Sequence, residues 1–139
     1  MIKASTTITV PFHDIDIMNI VWHGHYLKYF ELARTKLMQK AGLDWPDLKE
    51  LGFAMPVVDC QIKFRKPLTY GKVYEVTAEI REMDYPALEV HYQIFCQEAG
   101  QRMAQGKTRQ TYLEIATMQS SFIVPELILQ RLEKAKEQS

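Results

Sequence analysis

The hydrophobic pattern of the chain changes period twice. Ile8, Val10 and Phe12 alternate with Thr7, Thr9 and Pro11. That period of two is the mark of a half-buried strand, so Thr6–Phe12 reads as the first strand. Pro11 has no N–H to give to a neighbour, which places this strand at a sheet edge or at a bulge. A polar run follows, and then Tyr26, Phe30, Ala33, Leu37 and Ala41 recur at spacings of four, three, four and four, with Leu27 and Met38 widening the stripe. This is an amphipathic helix from about His25 to Lys40, roughly 24 Å long at the usual rise per residue. Gly42 is placed to stop it in a left-handed conformation. Glu31 and Arg34 lie one turn apart and can pair. Asp44 caps a short second helix that has Pro46 in its first turn and Gly52 at its end.

After Gly52 the period returns to two. Val58, Cys60, Ile62 and Phe64 share one face of a strand from Met55 to Lys66; Pro67 ends it and Tyr70-Gly71 turns. Tyr74, Val76, Ala78 and Ile80 form the next face, Asp84-Tyr85-Pro86-Ala87 a turn, and Leu88, Val90, Tyr92, Ile94 and Cys96 a third face. Glu98 to Gln101 reads as a hairpin turn. The last strand runs from about Arg102 to Ile115, where Ala104, Gly106 and Thr108 would let a helix backbone approach closely. Pro125 starts a C-terminal helix with Leu127, Ile128 and Leu132 on its apolar side, and Lys134 to Ser139 should fray. Strands joined by short turns make an antiparallel meander. The expected class is α+β: one domain over residues 1–139, with a long helix across the concave face of a five-stranded antiparallel sheet. One helix covers only part of such a sheet, so an oligomer formed through an edge strand is expected.

Charge narrows the partners. Seventeen basic and seventeen acidic side chains cancel, so no global field draws the chain to nucleic acid or to an anionic membrane. No stretch approaches the ~20 apolar residues of a membrane span, and the first residues hold no apolar run like that of a signal peptide. Cys60 and Cys96 stand in no metal or redox spacing and read as small reduced core residues, which agrees with a cytoplasmic address.

The candidate chemistry lies in His13–Phe30, where two aspartates, three histidines and a glycine run directly into the long helix. Unpaired N–H groups and the helix dipole can hold a developing negative charge there. The segments Phe12-His13-Asp14-Ile15-Asp16, Met18 to Tyr26, and Tyr29 to Thr35 resemble the signature of the 4-hydroxybenzoyl-CoA thioesterase family of hot-dog-fold proteins. Phe64 to Gly71 is similar to that family's strand-and-turn element, and the likeness extends from Thr6 to Val124. The resemblance implies an acyl-CoA thioesterase whose long helix is wrapped by an antiparallel sheet. It implies dimers or tetramers with active sites at the dimer interface, and neither metal nor organic cofactor. The catalytic carboxylate of the family maps onto Asp16. The helix-start position whose backbone N–H polarises the thioester carbonyl maps onto His23. Two residues depart from the pattern: Asn19 stands where the family usually has Gly, and His25 where it has Asn. Asn19 can adopt the left-handed conformation, so the loop still forms. His25 alters the helix cap.

Each residue also has a plainer reading. Asp16 can attack the acyl carbon or draw a proton from water, or else serve only the helix end. Asp14 reads as an Asx-turn residue. His23 is a site residue or a packed imidazole. Gly24 permits close approach of the thioester, and Trp22 and Tyr26 are candidate walls of the acyl site. Glu31 reads as a surface or interface partner of Arg34. Lys63, Arg65 and Lys66 are either a solvated strand edge or a contact for the phosphates of coenzyme A. His13, His23, His25, Asp14 and Asp16 are metal-ligand types, but His23 and His25, two apart, point in different directions, and no metal site is expected. An acyl carrier protein in place of coenzyme A, or an acyl-binding protein without catalysis, are the rival functions.

Overall fold

A computed structural model describes residues 2–83 and 85–138. The strands β1 (Lys3–Thr9), β3 (Val57–Phe64), β4 (Val73–Glu82), β5 (Ala87–Cys96) and β6 (Gln101–Thr111) form one antiparallel sheet in the order β1-β4-β5-β6-β3. The long helix α1 (Tyr26–Ala41) lies on its inner face. Phe30, Ala33 and Leu37 are fully buried there, in one core with Val76, Ala78, Val90, Ile94 and Ala104. The alternation read in β4 and β5 holds throughout: Tyr74, Val76, Ala78, Ile80, Leu88, Val90, Tyr92, Ile94 and Cys96 are all buried. Gly42 ends α1 at φ 70°, with Leu43 N–H donating to Met38 C=O at 2.8 Å. The helix α2 (Trp45–Leu51) starts with a capping box from Asp44 and stops at Gly52.

Four expectations need correction. The first strand is Lys3–Thr9, not Thr6–Phe12. It is an edge strand, but the chain leaves it before Pro11 and coils into a single turn at Phe12–Asp14, leaving Phe12 exposed. The meander covers only β4, β5 and β6, because β3 pairs with β6 across the far side of the sheet. The link from β3 to β4 therefore crosses the end of the sheet. Leu68 is buried in that link, and its carbonyl accepts the N–H of Val21 at 2.9 Å. The last strand ends at Thr111, and a small second sheet follows, built from β2 (Phe53–Ala54), β7 (Leu113–Glu114) and β8 (Gln119–Ser120). Strands of two residues are too short to show a period. The C-terminal helix α3 (Glu126–Glu137) buries Ile128, Leu132 and Ala135 rather than Leu127, and stays helical to Glu137, into the stretch expected to fray. Lys136 Nζ holds its last turn by reaching Glu82 at 2.8 Å. The turn expected at Asp84–Ala87 begins at a residue outside those described, as does Ser139.

The small positions of β6 serve a side chain, not a helix backbone. The ring of Phe30 stacks on Tyr92 at 4.6 Å and lies over Gly106, where a Cβ would stand 2.6 Å from both that ring and the carbonyl of Gln61. Gly106→Ala thus overpacks the core and lowers stability by about 1–3 kcal/mol, measurable by denaturant unfolding.

The edge strand β3 leaves most of its predicted apolar face uncovered: Val58 and Phe64 are about half exposed, at 53% and 50%, and only Ile62 packs partly against the core. Cys60 is exposed on the same strand, so only Cys96 is a core cysteine. Both thiols are free. Among the described residues no helix is long and apolar enough to cross a membrane.

Candidate functional site

The loop before α1 is tied at its base and tight at its tip. Val21 bridges Ile15, and Asp16 N–H donates to Ile20 C=O at 2.9 Å while Asn19 N–H donates to Asp16 C=O at 3.0 Å. Asn19 sits at φ 66°. A tight reversal closed by a left-handed residue suits Gly or Asn at that position, so the departure from the expected glycine leaves the loop intact. The Asp16 carboxylate is half-buried, and its Oδ1 accepts the N–H of Met18 at 2.8 Å. No hydrogen bond among the described residues reaches its Oδ2. The Asx-type contact expected of Asp14 thus belongs to Asp16.

Asp14 has a different place. Its side chain is fully buried. Oδ1 accepts from Lys28 Nζ at 2.7 Å and Oδ2 from the Tyr29 hydroxyl at 2.5 Å. His13 and His25 place ring nitrogens 3.6 and 3.7 Å from Oδ1. Burial by itself would raise the Asp14 pKa; the Lys28 and Tyr29 hydrogen bonds outweigh it and hold the carboxyl below its ordinary value. Burial and the same carboxylate push the Tyr29 phenol well above its usual range. The Asp14 carbonyl also accepts the N–H of Trp22 at 3.1 Å. One buried residue therefore fastens the base of the Asp16 loop to the entry and first turn of α1.

The helix start is left open. His23–His25 form a single tight turn that runs into α1, and no side chain caps either element. There is no acidic residue in the first turn of α1. Among the described residues nothing accepts the N–H of His23 or Gly24. Free N–H groups at the positive end of a 16-residue helix can hold a carbonyl oxygen that is gaining charge. Gly24 has a reason of its own to lack a side chain: a Cβ there would stand 2.2 Å from the Trp22 indole. That indole is half-exposed and packs 5.2 Å from the His23 ring and 5.4 Å from that of His25.

The end of β3 closes one side of this region. The Phe64 ring meets Tyr26 edge-on at 4.7 Å and His23 at 6.3 Å. Phe64 was legible as a strand residue but not as a neighbour of the helix start. Tyr26 itself is 3% exposed; burial raises its phenol pKa, and the backbone of Leu68 partly offsets the rise. Lys63, Arg65 and Lys66 are exposed, with the N–H groups of Arg65 and Lys66 both donating to Met103 C=O at 3.0 Å. Glu31 pairs with Arg34 at 2.5 Å on the middle of α1. The structure thus puts Trp22, His23, Gly24 and Tyr26 at one helix end, with Asp16 in the loop that leads into it and the basic residues on either side of Phe64.

Residues 10–132 match a family model described as the Thioesterase-like superfamily. A 1,4-dihydroxy-2-naphthoyl-CoA hydrolase of Thermosynechococcus vestitus is 27% identical over 77% of this chain and 73% of its own length. The acyl-CoA thioesterase YbgC of Helicobacter pylori is 29% identical over 63% of each chain. Among solved structures, the hypothetical protein TT1821 from Thermus thermophilus superposes with a TM-score of 0.83 at 30% identity, covering 95% of this chain and 98% of that one.

Proposed function

The chain belongs to the thioesterase-like superfamily and has its hot-dog fold, and we propose that it hydrolyses an acyl-CoA thioester to the free acid and coenzyme A. What supports this reading is a loop carboxylate, Asp16, one oxygen of which takes no hydrogen bond among the described residues, on the segment that runs into an uncapped helix start at His23 and Gly24. The thioester carbonyl oxygen lies on the two N–H groups, which draw electrons from the carbonyl carbon. Asp16 either takes the proton of a water whose oxygen attacks that carbon, or attacks it directly and leaves an acyl anhydride for water to open. In both routes the C–S bond breaks as the tetrahedral centre collapses, and the thiolate leaves as coenzyme A. Trp22, beside His23, and Phe64 form the apolar walls next to the reacting group, and Lys63, Arg65 and Lys66 face the phosphates. Tyr26 supports the wall from inside the core.

The working unit is an oligomer. The open edge of β3, with Val58, Cys60 and Phe64 uncovered, supports a second copy beside it. Sedimentation should give a dimer or tetramer; a monomer would remove this part of the proposal.

The test is release of free thiol from short, long and aromatic acyl-CoA thioesters by the purified protein. Turnover of at least one is expected. An inert protein across the panel would overturn the proposal.

A further inference from the structure

On the outer face of the sheet the charges are sorted by strand. The residues that alternate with the buried positions of β4, β5 and β6 fall into rows across the three strands. Glu75, Phe95 and Arg102 form one row, and Glu79, His91 and Lys107 another, with Thr77, Gln93 and Gln105 between them. Both acids stand on β4 and both cations on β6. They are two strands apart, about 10 Å, too far to pair within one chain. All four line a groove of about 680 Å³ on this face.

The key charges have only neutral partners. Arg102 Nη1 and Arg65 Nη2 both donate to the side-chain oxygen of Gln105, at 2.9 and 3.2 Å, the pairing of β3 with β6 joining the two arginines. Glu75 Oε2 accepts from the Gln97 amide at 3.3 Å. Among the described residues no carboxylate lies within ion-pair distance of Arg102 or Lys107, and no cation within that distance of Glu75. The neighbouring row is balanced inside its own sheet. Arg81 is held by Glu79 and Arg109 by Asp59, and Glu89 takes the His91 ring at 2.6 Å.

Two identical sheets laid face to face are related by a two-fold axis lying between them. The sorting of charge separates the two simple directions of that axis. With the axis across the strands, each strand faces itself end for end. The acids of β4 then lie over acids and the cations of β6 over cations. With the axis along β5, the rows keep their places and β4 of each copy lies over β6 of the other. Glu75 then faces Arg102 and Glu79 faces Lys107, each pair occurring twice, while Phe95 meets its own copy between them. Packed sheets keep their strand directions within about 30° of each other, so the rows stay in reach. The chain has no net charge, so copies do not repel as wholes.

We propose that this outer face is a second self-association surface, on which another copy of the chain seats about a two-fold axis along β5, with Glu75 against Arg102 and Glu79 against Lys107. It is separate from the β3 edge, and the two surfaces together build a tetramer from edge-paired dimers. The thioesterase reading does not depend on it. Its charge pairs are screened by salt, whereas the apolar β3 edge is not.

The test is sedimentation of the full chain at low salt, as the parent, as Arg102→Glu, as Glu75→Arg, and as an equal mixture of the two variants. Both side chains lie on the outer face, so the folds persist, checked by melting temperature. Each variant alone has half the mass of the parent, because like charges now face each other. The mixture regains the parent mass, since one variant carries acids at both positions and the other cations at both. High salt halves the mass of the parent in the same way, a reading that needs no variant. If the β3 edge does not pair copies, the parent is a dimer and the variants are monomers; the halving still supports this face, and only the edge proposal falls. A parent with the same mass as Arg102→Glu and no response to salt, or variants that stay apart when mixed, overturns the surface and leaves the face to solvent or to a different partner.

Discussion

Asp16→Asn lowers the turnover of any acyl-CoA thioester the protein hydrolyses by ~100- to 10,000-fold, the contribution of a well-placed acid–base group. The fold should survive, because asparagine keeps the oxygen that accepts the Met18 N–H. KM should change little, since the N–H groups proposed to hold the carbonyl and the proposed apolar walls remain. Parallel measurements of kcat, KM and melting temperature separate this from a general loss of structure. Activity that survives the exchange would move the carboxylate role elsewhere. Glu31, half-buried on α1, would be the next residue to replace.

Asp14→Ala acts on stability instead. It removes a fully buried carboxylate that two donors share, and leaves the hydroxyl of Tyr29, a residue 2% exposed, without its acceptor. Lys28 is half-exposed and can turn to solvent, which moderates the loss. A cost of about 3 kcal/mol follows from breaking such a buried arrangement, or a melting temperature lower by roughly 10 °C for a chain of this size. The effect has a pH signature. The folded state holds the Asp14 carboxyl below its ordinary pKa, so the unfolded state takes up its proton first. The stabilisation is full above the unfolded pKa, ~3.9, and disappears as pH falls through the lower folded value. The gap in melting temperature between parent and variant should narrow as pH falls from about 5 to 2. A gap that stays constant through that window would show that Asp14 contributes by shape alone.

Position along the chain made some of this legible and left the rest hidden. The stripe from Tyr26 to Ala41 located α1 to within a residue, because one helix against one sheet must repeat its apolar face at the helical period. The inner faces of β4 and β5 were equally plain. Which strands are neighbours was not, because alternation assigns a side chain to a face and says nothing about the strand beside it. The pairing of β3 with β6 is what brings Arg102 to Arg65, and no spacing in the sequence contains it. Asp14 and Asp16 offered the same chemistry two residues apart. Their roles diverge because the single turn at Phe12–Asp14 aims one carboxylate at Lys28 and Tyr29 and leaves the other on the loop. Trp22 over Gly24 was hidden for a similar reason: the indole folds back on its own chain.

The pairing of β1 with β4 has a bearing on how the molecule is made. Lys3 faces Glu79 and Thr9 faces Val73. During synthesis the first strand emerges about 70 residues ahead of its partner, a delay of roughly 4 to 14 s at ordinary elongation rates. For that interval a threonine-rich strand must stay solvated, and its alternation of Thr6, Thr7 and Thr9 with only Ile8 between them suits waiting. The β4–β5–β6 hairpins, whose contacts are local, can assemble as soon as they leave the ribosome, and β1 can pair once β4 has been made.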